Sequence, residues 1–297
     1  MLKNNIIDLI GNTPLLKLGE TNIYAKLEYF NPLHSVKDRA ALFMIKSAEK
    51  NGLLKPGGTI IEPTSGNTGI ALTYIGIQLG YKVILTMPEN MSEERVKLIK
   101  ILGAEVVLTP KQEGMKGAIK EAEKLLNSIP NSFMPNQFEN HANTMSHIKT
   151  TAREILDDLN VIKPNYIVLS FGTGGTLTGI GNVFKEKYPD IKIIAVEPAE
   201  SPLLSEGKSA PHEIMGIGAN FIPYILNEGL IDEIIKAPSE EATKTAIDAA
   251  RTYGTLIGIS SGANLWASYQ IAKRDPSAII VTLFPDTGER YLSVLKV

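Results

Sequence analysis

Three segments place glycine beside hydroxyl or amide side chains where a strand-like run gives way to a helical one. The first is Pro63-Thr64-Ser65-Gly66-Asn67-Thr68-Gly69, between the strand-like Thr59 to Ile61 and the helical run Ile70 to Leu79. A helix N-terminus presents backbone N–H groups without internal partners, and glycine lets an anion approach them. A carboxylate or a phosphate fits such a turn. A plain turn with self-capping hydroxyls needs one or two of these residues, not the whole run. The second is Gly172-Thr173-Gly174-Gly175-Thr176, after Tyr166 to Leu169 and before a helix through Val183. Its small positions form a backbone nest and its two threonines add donors, which suits phosphate. It is neither a Walker motif nor the dinucleotide G-x-G-x-x-G. The third is Gly258-Ile259-Ser260-Ser261-Gly262-Ala263, before a helix expected over Asn264 to Lys273. Taken alone, it reads as an N-cap with close packing.

A fourth segment, Asn31-Pro32-Leu33-His34-Ser35-Val36-Lys37-Asp38-Arg39, carries an amine. Pro32 favours a turn, and Ser35 is placed to cap the helix that follows. Lys37 then falls in the first helical turn, where the helix dipole disfavours an ammonium. A lysine whose charged form is disfavoured is a good amine nucleophile, as a Schiff base requires. In isolation, the Lys37–Asp38 pair reads as a solvated lysine neutralised by its neighbour. His141 and His147 are six apart, on different helical faces. No H-E-x-x-H or carboxylate cluster accompanies them, so no metal site is expected. Glu93-Glu94, Asp157-Asp158 and Glu240-Glu241 read as solvated helix ends.

The elements that must position these groups alternate along the chain. Apolar, β-branched runs occur at Ile23 to Leu27, Thr59 to Ile61, Lys82 to Thr86, Glu105 to Leu108, Tyr166 to Leu169, Ile191 to Val196 and Ala278 to Leu283. Such runs suit strands buried on both faces of a parallel sheet. Between them, Met115, Ala118, Ile119, Ala122, Leu125, Leu126 and Ile129 share one helical face. Ser92 before Glu93-Glu94, and Ser239 before Glu240-Glu241, read as N-caps with acidic first turns. The pattern predicts an α/β fold with mostly parallel strands.

With 297 residues, 43% hydrophobic and 21% charged, the chain can bury a large core as one or two domains. It has no cysteine, which excludes disulfides, zinc–cysteine sites, iron–sulfur clusters and thiol nucleophiles. A net charge of −2 provides no general attraction to nucleic acid or anionic lipid. No apolar stretch reaches the roughly 18 residues of a membrane span. Asp8 interrupts the apolar start, no signal peptide is read there, and the expected address is cytoplasmic.

Together and in order, SVKDR, PTSGNTG, QFEN, GTGGT, GISSGA and PDTGERYLS resemble the cysteine synthase (O-acetylserine sulfhydrylase) family of fold-type II pyridoxal-phosphate enzymes. The likeness runs from Ile10-Gly11-Asn12-Thr13-Pro14 to Tyr291-Leu292-Ser293. It implies two three-layer α/β domains of the tryptophan-synthase-β type, with the cofactor in the cleft between them. A smaller domain over 31–143 would carry the substrate loop and a larger one over 144–297 the phosphate loop, joined by crossover residues 1–30. Lys37 would hold pyridoxal 5′-phosphate as an internal aldimine and act as base at Cα. Gly172, Thr173, Gly174, Gly175 and Thr176 would bind its phosphate, Asn67 its phenolic oxygen, and Ser260 would face the pyridine nitrogen. Thr64, Ser65, Thr68 and Gln137 would bind the substrate carboxylate.

A neutral serine at the ring nitrogen makes the ring a weaker electron sink. That disfavours transamination and suits loss of a β-leaving group to an aminoacrylate that sulfide then attacks. The implied activity is conversion of O-acetyl-L-serine and sulfide to L-cysteine and acetate by a homodimer, with serine acetyltransferase as a candidate partner. The alternative is cystathionine β-synthase-like or cysteine-degrading, hydrogen sulfide-producing chemistry on serine or cysteine. His141, Ala152-Arg153, Glu213, Met215 and Asn220 depart from the family's commonest residues and bear on that choice. A reading of another class, a non-enzymatic protein binding a nucleotide or anion at its glycine turns, predicts a colourless protein.

Overall fold

The computed structural model describes residues 2–91 and 93–295. The expected cap Ser92 lies outside the described residues. Ten strands form among them: β1 Leu15–Lys17, β2 Ile23–Leu27, β3 Thr59–Pro63, β4 Lys82–Pro88, β5 Glu105–Thr109, β6 Ser132–Phe133, β7 Tyr166–Ser170, β8 Lys192–Pro198, β9 Glu233–Ala237 and β10 Ile280–Phe284. They make two sheets, ordered β1-β2-β10-β7-β8-β9 and β5-β4-β3-β6. Every pairing is parallel except β1 with β2. All seven strand-like runs of the sequence are strands. The three it did not give, β1, β6 and β9, are all sheet edges.

The chain divides into two compact units, one of residues up to Val36 with Thr144 onward, the other Lys37–Asn143. In the first unit, alternation along each strand feeds two separate cores. Val168, Ile194 and Val196 pack with Ala242, Ala246, Ala263 and Ala267, from helices Ser239–Tyr253 and Ile259–Arg274. Ile167, Leu169, Ile193 and Ala195 pack with Ile155, Leu177, Ile180 and Phe184, from helices Ala152–Leu159 and Gly175–Lys187. Helices on both faces of a parallel sheet give three layers.

In the second unit, Ile61 and Ile84 pack against Ala122 of helix Gly114–Ser128. Helix Asn67–Gln78 lies close on the sheet because Gly76 has no side chain: a Cβ there would meet Val83 Cγ2 at 2.8 Å and Ile60 Cδ1 at 3.0 Å.

Several local expectations change. Met115 and Ile119 are exposed, so the buried face of their helix is narrower than the sequence pattern. Ser239 begins its helix and is not its cap. Its N–H donates to Glu200 Oε1 and its Oγ accepts from the N–H of Glu213. Asp158 is not simply a solvated helix end. It and Glu154 pair with Lys26 Nζ at 3.0 and 3.2 Å, and that fully buried ammonium also donates to Thr13 O at 2.6 Å. A buried ammonium needs such partners to remain charged.

Candidate active site

In the second unit, chemistry gathers at the carboxyl end of β3. The ladder with β4 runs one residue past the strand, as Thr64 N–H donates to Thr86 O at 3.1 Å. Helix Asn67–Gln78 begins three residues earlier than the sequence pattern showed, so Asn67 and Thr68 form its first turn. Its cap, Gly66, supplies no side chain, and the first-turn N–H groups remain directed out of the helix. Gly69 is required for the turn to close, since a Cβ would lie 2.9 Å from Leu85 Cδ1 and 3.1 Å from Thr64 Cγ2. Thr64 Oγ1 accepts from Gly66 N–H at 3.4 Å, and Ser65 O accepts from Arg95 Nη1 at 3.4 Å.

Sixty-nine positions beyond Thr68, Gln137 comes to the same place: Thr68 Oγ1 donates to Gln137 Oε1 at 2.6 Å. Both are buried. The bond occupies the amide oxygen and leaves the Gln137 NH2 as a donor. Lys37 is the first residue of helix Lys37–Lys50 and is half-buried, with Asp38 and Arg39 fully buried after it. Ser35 bridges to Asp286 in an isolated antiparallel pair.

In the first unit, the glycine turn follows β7 and opens helix Gly175–Lys187. Gly174 has φ +85°, and a Cβ there would stand 2.8 and 2.9 Å from Leu226 Cβ and Cα. A Cβ on Gly172 would run into the carbonyl oxygen of Gly216. Thr173 Oγ1 accepts from Gly175 N–H at 3.4 Å, and Thr176 Oγ1 lies 3.2 Å from His147 Nε2. This nest of N–H groups at a helix N-terminus is an anion cradle.

Helix Ile259–Arg274 starts earlier than expected, which puts Ser260 in its first turn. Ser260 is buried, and its hydroxyl has no side-chain hydrogen bond among the described residues. One turn on, Asn264 Oδ1 accepts from Ser170 N–H at 2.6 Å and Nδ2 donates to Leu283 O at 2.8 Å. That amide ties the helix bearing Ser260 to the ends of β7 and β10.

Two contributors were not read from the sequence. His147 sits in a π-helical turn, His147–Thr151, with Nδ1 2.9 Å from Thr151 Oγ1 and its other nitrogen beside Thr176. π-turns recur at functional sites. Glu62 of β3 accepts the N–H groups of Asn136 at 2.9 Å and Gln137 at 3.3 Å. Burial pushes its carboxyl up to about 7, against the lowering effect of those two bonds. A lone acid inside an apolar strand was the available signal. Among the described residues, no group of three or more His, Asp or Glu is arranged to hold a metal.

The first unit thus offers an anion cradle at a helix N-terminus and a buried serine, and the second offers an amine at a helix start. Residues 6–286 match the family described as pyridoxal-phosphate dependent enzymes. The chain is 53% identical to a probable cysteine synthase of Bacillus subtilis, over 97% of this chain and 96% of that one. A cysteine synthase structure from Entamoeba histolytica superposes with a TM-score of 0.95 at 42% identity, covering 99% of this chain and 90% of that one. A hydrogen sulfide-producing enzyme from Fusobacterium nucleatum superposes with a TM-score of 0.93 at 43% identity, covering 98% and 100%. The chain belongs to the pyridoxal-phosphate-dependent enzyme family, within its cysteine synthase branch.

Proposed function

We propose that the protein converts O-acetyl-L-serine and sulfide to L-cysteine and acetate by β-replacement. The observation that carries this reading is the 2.6 Å Thr68–Gln137 bond, which assembles donors for an amino-acid carboxylate at the N-terminus of helix Asn67–Gln78. The high identity to a probable cysteine synthase supports it.

When bound, pyridoxal phosphate supplies the electron sink that lets the Cα proton and the β-acetoxy group leave. Lys37 Nζ would hold the cofactor through its carbonyl carbon and, once displaced by the substrate's amine, would move the Cα proton. Gly172 to Thr176 grip the phosphate through backbone N–H groups and threonine hydroxyls. Asn67 orients the ring through its phenolic oxygen, and Ser260 gives the ring nitrogen a neutral partner. Thr64, Ser65, Thr68 and Gln137 hold the substrate carboxylate. The domains of this reading, 31–143 smaller, 144–297 larger and 1–30 the crossover, differ from the compact units in giving residues 31–36 to the smaller domain.

The same reading includes a homodimer, a serine acetyltransferase partner that supplies the donor, and a cytoplasmic address. No helix among the described residues is long and apolar enough to cross a membrane. A second reading is serine or cysteine as donor with release of sulfide or use of homocysteine; its sulfide-releasing part draws on the likeness to the hydrogen sulfide-producing Fusobacterium enzyme. The test is a product assay with O-acetylserine, serine and cysteine, each paired with sulfide or homocysteine. Fastest cysteine formation from O-acetylserine and sulfide is expected. Faster turnover of serine or cysteine would replace the first reading by the second.

A further inference from the structure

Glu62 stands where a β-ladder ends. β3 pairs with β6 at Thr59–Ser132 and Ile60–Phe133, and there the ladder stops. The chain after Phe133 turns away and reaches Asn136, whose φ of +49° lies in the left-handed region. At that point the Glu62 carboxylate takes over from the missing strand, accepting two consecutive N–H groups, of Asn136 and Gln137. The same loop is tied elsewhere by Asn143 Nδ2 to Gln137 O at 3.0 Å and by Asn140 Nδ2 to Pro135 O at 2.8 Å.

A carboxyl at 2% exposure is an expensive means of filling space. Its cost is offset by what it fixes, the Gln137 Cα, from which the side chain reaches Thr68. We propose that Glu62 is a positioning residue for the substrate carboxylate: it holds the Gln137 backbone so that the Gln137 amide and Thr68 hydroxyl stay in register at the start of helix Asn67–Gln78. The proposal rests on the carboxylate-binding part of the function given above.

The test compares holoenzymes of wild type, Glu62→Gln, Glu62→Asp, Gln137→Ala and the double variant Glu62→Gln/Gln137→Ala. Each is assayed with O-acetyl-L-serine and with its carboxamide, which lacks the carboxylate. In Glu62→Gln the side-chain NH2 faces a backbone N–H. KM for the acid should rise about tenfold, the weight of one charge-assisted hydrogen bond. KM for sulfide and the kinetics of the carboxamide should not move, and the double variant should be no worse than Gln137→Ala. Glu62→Asp, which keeps the charge but loses reach, should fall between, and carries the same comparison if Glu62→Gln does not fold.

Equal losses on acid and carboxamide, or no loss on either, would overturn the proposal. If the wild type makes no cysteine, the proposed function has failed, not this one. Binding of L-serine against L-serinamide, read from cofactor absorbance, then makes the same comparison.

Discussion

The two units hold their glycine-rich turns by different means. In the unit containing β7, the cradle at Gly172 to Thr176 is made by backbone, and close neighbours leave no room for a Cβ at Gly172 or Gly174. In the unit containing β3, the turn at Thr64 to Thr68 is tied further by side chains: the Thr68 hydroxyl to the Gln137 amide, and the Glu62 carboxylate to the Gln137 backbone N–H. A backbone cradle with no spare volume suits a ligand that stays. A loop held by a few exchangeable hydrogen bonds suits one that arrives and leaves at every turnover, because such bonds contribute modestly and re-form quickly.

The most severe test removes the amine proposed above to hold the cofactor. Lys37→Ala should lower turnover by at least about a thousandfold, while circular dichroism and the melting temperature show an intact fold. Ordinary turnover in that variant would end the proposed role of Lys37.

Next, the cradle should tolerate nothing. Gly174→Asp adds a side chain at φ +85° against Leu226 and a negative charge facing phosphate. Cofactor affinity, titrated into apo-protein, should fall about a hundredfold, because like charges repel strongly where water is scarce. Unchanged affinity would place the phosphate elsewhere.

The side-chain loop should yield more gently. Thr68→Ala leaves the Gln137 oxygen without its donor. It should raise KM for every amino-acid donor about tenfold and lower kcat, with KM for sulfide unchanged. An effect confined to sulfide would reverse the assignment.

The mildest contrast is one of pH. The Glu62 carboxyl is pushed from its ordinary 4.5 up to about 7, chiefly by burial. Between those values the folded protein keeps a proton that the unfolded chain has released. The stability Glu62 contributes is therefore fully present below about 4.5 and declines until about 7. Urea unfolding at pH 5 and pH 8 should show Glu62→Gln gaining on wild type at the higher pH. No gain would mean that Glu62 titrates normally.

Much of this was legible in the sequence, for identifiable reasons. Strands buried on both faces announce themselves as unbroken apolar runs, and all seven such runs are strands. β1, β6 and β9 are short or half-buried edges, pinned by one neighbour, and a run of two or three residues carries no period. The glycine-rich segments were legible as turns because glycine beside hydroxyl recurs where a strand gives way to a helix. Glu62 and His147 were not, because each acts through a partner distant in sequence. Asn136 and Gln137 are 74 and 75 positions from Glu62, and Thr176 is 29 from His147. Asp158 was misread for the same reason, its partner Lys26 lying 132 positions away.

Asn264 has a consequence of its own. With one amide it grips Ser170 just ahead of the phosphate cradle, and Leu283 on the neighbouring strand, while its own helix carries Ser260 one turn earlier. On the assignment proposed above, the cradle would take the phosphate arm and Ser260 the ring nitrogen, and Asn264 would keep those two contacts at a fixed separation. A heterocycle with its phosphate arm elsewhere on the ring would reach both contacts only if Asn264 gave up its bond to Ser170 or Leu283. The protein would thus test the spacing between phosphate and ring nitrogen in whatever heterocycle it binds.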